Sequence, residues 1–87
     1  MKYILCVVHD RSINAYINLH CVRAEGQAIR QFQDAINDPQ AGSLHKHPDD
    51  YDLYKIGEYI DDDGTIELLP HKQKIADGKQ MSITGDL

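Results

Sequence analysis

Residues 43–64 read SLHKHPDDYDLYKIGEYIDDDG and crowd two histidines, seven carboxylates and three tyrosines into one short stretch. His45, His47, Asp49 and Asp50 are side-chain types that ligate zinc or another transition metal. Such a centre needs its ligands on rigid elements, and here Pro48 redirects the chain inside a polar segment. The pattern fits a solvated loop, with Pro48 and Asp49 setting up a turn. A His-x-His pair beside tyrosines also suggests a rolling-circle nuclease, but that motif sits on a central strand with a bulky apolar residue in the middle, where this chain has Lys46. Asp61, Asp62 and Asp63 before Gly64 begin like a calcium loop. An EF-hand needs flanking helices and a bidentate acid at its twelfth position, whereas Thr65 to Leu69 is strand-like. No metal site is expected.

Other chemistries find less support. Nothing in the spacing places a nucleophile beside a base, and the six glycines are scattered rather than gathered into a phosphate-cradling loop. No catalytic residue and no cofactor is expected, so the chain reads as a non-enzyme. Cys6 and Cys21 match no zinc or redox spacing and lie in apolar stretches, as buried free thiols do. The formal net charge of −5 argues against strong nonspecific binding to nucleic acid or anionic membrane. It leaves room for a local basic patch. Arg11, Lys46, Lys72, Lys74 and Lys79 are the candidate nucleic-acid contacts, with tyrosines as stacking platforms for single-stranded DNA.

The elements that must position these groups follow from periodicity. Residues 2–9, KYILCVVH, are apolar on both faces and read as a central strand. Residues 14–22 alternate as a hairpin partner nearer an edge. Ala28, Ile29, Phe32, Ala35 and Ile36 form one apolar stripe, which predicts a helix over about 24–37. Asn37-Asp38-Pro39 ends it. After a polar loop over 39–50 come the strand YDLYKIGEYI, a DDDG turn and the strand TIELL. The fold expected is α+β: a ββαββ unit with a single four-stranded antiparallel sheet in the order 2-1-3-4 and one helix on one face. Residues 1–70 make the domain and 71–87 a basic C-terminal tail.

One helix covers one face of four strands. The face left over is expected to carry Ile4, Cys6, Val8, Tyr54, Ile56 and Ile60, and a patch of that kind marks an interface. A homodimer through the uncovered sheet face is the expectation, with the tail folding back over the sheet as the competing account. The opening MKYILCVVHD lacks the features of a signal peptide, and no run approaches the roughly 20 apolar residues of a membrane span. A cytosolic address without membrane partners is expected.

Three stretches, MKYILCVVHDRS, RQFQDAIND and KHPDDYDLYKIGEYID, together resemble the small non-structural protein of gokushoviruses, single-stranded DNA phages of the microvirus group. The resemblance spans roughly residues 1–69. It is most specific at Lys46, His47, Pro48, Asp50, Tyr51, Leu53, Tyr54, Gly57 and Asp61, with Tyr51 standing where phenylalanine is commoner. It implies a DNA-binding protein of the host bacterial cytoplasm, outside the virion, that acts as the phage passes from duplex replication to single-stranded genome synthesis and packaging. It implies no catalytic residue. Its implied partners are single-stranded DNA or a phage replication or procapsid protein; the residues themselves equally allow an adaptor that docks a phage or host protein.

Overall fold

Four strands account for nearly half of the chain: β1 (Lys2–Asp10), β2 (Ala15–Val22), β3 (Tyr51–Ile60) and β4 (Thr65–Asp77). The helix α1 (Glu25–Ile36) joins β2 to β3, and single turns α2 (Ser43–Lys46) and α3 (Gly78–Met81) complete the chain. The computed structural model describes residues 1–82. Its sheet is antiparallel throughout, in the order β2-β1-β3-β4, so the expected α+β architecture and strand order hold.

The core lies between one sheet face and α1. Ala28, Phe32 and Ile36 project from α1 onto Cys6, Val8, Val22, Leu53 and Ala76, all buried. Leu44 and Met81 from the short turns close the rim. The helix starts without a side-chain cap at Ala24; instead the Arg23 N–H donates to Gln27 Oε1 at 2.9 Å, satisfying a backbone donor just before the helix. At its other end, Asn37 Nδ2 donates to the Met81 carbonyl at 3.0 Å and ties α3 to α1. Gly78 is needed there because a Cβ would run into the Pro48 carbonyl.

Several expectations need correction. Ile4, Cys6 and Val8 lie on the helix side of the sheet, with Cys6 and Val8 in the core and Ile4 packed against it. The residues between them, Tyr3, Leu5, Val7 and His9, therefore face the other way. Because β1 is apolar on both faces, its own pattern does not say which side the helix takes. The last strand does not stop at Leu69: residues 71–77 continue β4 and 78–81 form α3. The basic segment from 71 is thus part of the fold, and its end, 83–87, lies outside the described residues. The 39–50 loop is a chain of single turns, 3-10 at Pro39–Ala41 and Pro48–Asp50 around α2.

A break in register divides the sheet lengthwise. Leu5 pairs with Gly57 but Cys6 with Lys55, so Ile56 bulges from β3. On the other side Gly57 pairs with Leu68 and Lys55 with Gln73, so Leu69, Pro70, His71 and Lys72 all face the single residue Ile56. Pro70 fits this bulge because it has no N–H to offer a ladder. Gly57 fits because a Cβ would strike the Glu67 carbonyl. Beyond the break, residues 57–60 and 65–68 form a two-stranded arm against β1, which helps make the molecule 46 Å long and only 23 × 19 Å across.

The two cysteines differ in setting. Cys6 is fully buried, and burial pushes its thiol up to about 11; Cys21, expected to be buried, is exposed on β2. A thiol reagent should therefore react rapidly with one group in the folded protein, Cys21→Ser should abolish that reaction, and urea should release a second. Phe32→Ala should cost about 3–5 kcal/mol in urea unfolding, a large share of the roughly 5–15 kcal/mol that holds a domain folded.

Candidate nucleic-acid interface

On the face away from α1, three strands bring aromatic rings together. His9 of β1 and Tyr16 of β2 are register partners, and Tyr54 of β3 pairs with Val7, two residues along β1 on the same face. The His9 and Tyr16 rings stack with centroids 4.3 Å apart and planes 15° from parallel. Tyr54 meets both rings edge-on at 6.1 and 6.2 Å. The His9 Nε2–H donates to Asn14 Oδ1 at 3.0 Å. Asn14 lies in the β1–β2 turn with φ 52°, a left-handed conformation that asparagine tolerates.

The same turn is held by Asp10. Its Oδ1 accepts from the Ser12 hydroxyl at 2.6 Å and the Ser12 N–H at 3.0 Å. These bonds, the hydroxyl first, hold the Asp10 carboxyl below its ordinary range. Burial, with the Asp10 charge second, pushes the neighbouring Tyr51 hydroxyl up.

Cations frame the rings. The β4 bulge carries Lys72 back across the sheet, so that its Nζ lies 5.1 Å from the Tyr16 ring centroid, within cation–π reach. Next to it, Asp52 lies between two core residues, Tyr51 and Leu53, and so points to the open face. Lys74 Nζ approaches Asp52 Oδ1 at 3.3 Å and Arg11 Nε approaches Oδ2 at 3.4 Å. The carboxylate side chain is 3% exposed, whereas Lys74 is 46% and Arg11 51% exposed. Asp52 Oδ1 accepts no hydrogen bond among the described residues, so its charge is balanced by these two cations. The result is a buried anchor that holds two positive heads at the surface.

The five cations expected from the sequence thus fall into two groups. Arg11, Lys72 and Lys74 converge with the rings. Lys46 and Lys79 lie elsewhere, where α2, the Pro48–Asp50 turn and α3 enclose a polar cavity of about 480 Å³ shared with Asp49 and Asp50. His45 is occupied structurally, its Nδ1–H donating to the Ile36 carbonyl at 2.9 Å. Among the described residues no three His, Cys, Asp or Glu side chains gather as metal ligands. Of the six residues expected at an interface, only Tyr54 belongs to this ring cluster. Ile56 is the bulge residue, and Ile60 sits at the arm's end opposite Lys2. The other two rings, His9 and Tyr16, were not among the expected site residues. The signal for them was present in HDRSINAY, where closing the first hairpin sets His9 against Tyr16.

Two measurements follow from these contacts. Lys74→Met should cost about 1–3 kcal/mol in urea unfolding and more than Asp52→Asn, because it leaves a buried carboxylate half-compensated. Asp10 has a lowered folded pKa, so its contribution is fully present above about pH 3.9, the unfolded value, and is lost as pH falls through the folded one. Asp10→Asn should therefore flatten the acid limb of a stability–pH curve.

Comparison with curated proteins and with solved structures finds no match. A family model described as Phage ORF5 protein matches residues 3–81, nearly the whole chain and every element that builds the patch. The chain therefore belongs to the Phage ORF5 protein family.

Proposed function

We propose that this phage protein is a non-enzymatic, single-stranded DNA-binding factor of gokushovirus type, acting in genome replication or packaging in the host cytoplasm. The supporting observation is the joining of stacked rings and cations on one face: His9 on Tyr16, Tyr54 at their edge, with Lys72, Lys74 and Arg11 around them. Unpaired bases offer π-faces to such rings and phosphates offer charge to such cations, which is how strands are held without sequence readout. Convergence of three cations on one patch reconciles local attraction with an acidic chain. A second reading is an adaptor docking a phage or host protein. It draws on the exposed Ile66 and Leu68 of the arm, 55% and 69% accessible.

Fluorescence anisotropy with a short labelled oligonucleotide separates the two. If Arg11, Lys72 and Lys74 each neutralise one phosphate, log K should fall with log salt at a slope of about −2. Tyr54→Ala should weaken binding by about 1–3 kcal/mol, and Lys72→Glu with Lys74→Gln should abolish it at moderate salt. Absence of binding at tens of micromolar in low salt would leave the adaptor reading.

A further inference from the structure

We infer that the open sheet face closes on a second copy of this chain, packed face to face and antiparallel, with the acidic arm tip of each copy on the Arg11–Lys72–Lys74 end of the other. The inference goes beyond DNA binding and does not depend on it.

Charge selects the occupant. The arm ends in Asp61, Asp62 and Asp63. Asp61 and Asp62 receive the Met1 amine at 2.7 and 3.2 Å, and Asp63 accepts from the Thr65 N–H at 3.0 Å. Three carboxylates against one amine leave the tip negative, and Asp62 stays 80% exposed. At the opposite end of the same face, Arg11, Lys72 and Lys74 stand against Asp52 and its register partner Asp77, three cations against two carboxylates, and leave a positive excess. Both ends therefore carry an imbalance that a reversed copy would cancel. A parallel overlay would set tip on tip and repel. A two-fold axis across the middle of the sheet satisfies both ends at once, as an isologous pair requires.

The apolar pattern agrees. Tyr3 and Tyr59 pair across β1 and β3 with ring centroids 6.3 Å apart. Ile66 is the partner of Tyr59, and Leu68 that of Gly57. By register these four share the open face, and Ile66 and Leu68 are among the most exposed large apolar residues of the chain. In the reversed pair they fall toward the His9–Tyr16–Tyr54 cluster of the other copy, a surface rich in ring area. The arm tip thereby takes on the partner the chemistry of a phosphate run, with apolar side chains in place of bases.

The test is a charge exchange followed by light scattering, without nucleic acid. Asp62→Lys and Lys72→Glu are both surface changes that leave the Asp52 contacts intact, and urea unfolding verifies each fold. The wild-type chain should pass from monomer to dimer between tens and hundreds of micromolar at low salt and revert at high salt. Each variant alone should dimerise at least about tenfold more weakly, because reversal sets like charges opposite one another at both ends. An equimolar mixture should regain association, since a basic tip then meets an acidic end while the other contact is unaltered. A wild-type chain monomeric throughout, a dimer indifferent to both reversals, or a mixture that gains nothing overturns the inference. The oligonucleotide titration is read separately, so either result stands without the other.

Discussion

The governing constraint is one of length. Twelve helical residues reach about 18 Å at 1.5 Å each, while a ten-residue strand such as β3 runs about 33 Å. One helix of that size seals little more than half of one sheet face. The core accordingly gathers around Ala28, Phe32 and Ile36, and the sheet beyond Gly57 extends as an arm. The short turns after α1 lengthen the cover only slightly, through Leu44 and Met81. On the other face Leu5 and Val7 are buried without the helix, at 6% exposed each, and the exposed groups of that face lie around them.

What the open face does with that freedom depends on two irregularities. The β4 bulge lets a lysine far along the chain reach the ring of Tyr16 on the opposite edge strand, across the two strands between them. The inward-pointing Asp52 then fixes the heads of Lys74 and Arg11 beside it. An isolated carboxylate this deep would be strongly unfavourable. Its two half-exposed partners offset that cost, and the same contact orders two long side chains that would otherwise wander. Stability and presentation of charge are here one arrangement, since the group that is buried orients the groups that are not.

Much of this was legible in the residues. The helical stripe, the two hairpins and the crossover gave the strand order, because few topologies satisfy them together. Sidedness was less legible. Lys2–Asp10 carries apolar residues at both parities, so it cannot report where the helix lies, and the extra residue Ile56 inverts the alternation of everything after it in β3. Tyr59 thus shares the open face with Tyr54 although the two are five residues apart. Pro70 concealed the continuation of β4, since a proline in a strand-like run ordinarily marks its end. The convergence of Lys72 and Lys74 with His9 and Tyr16 depends on that concealed stretch, which is why the cations were found and their aromatic setting was not.

The sheet is open at both sides, and β2 and β4 each offer unpaired backbone that could template further strands. Neither edge is smooth. Asn18 breaks β2 with a φ of 56°, and the four residues opposite Ile56 interrupt β4. An incoming ribbon would find no more than a few consecutive rungs on either flank before its ladder failed. The kinks therefore guard this small chain against side-by-side polymerisation into fibres, and they direct any self-association toward the broad surface rather than the rims.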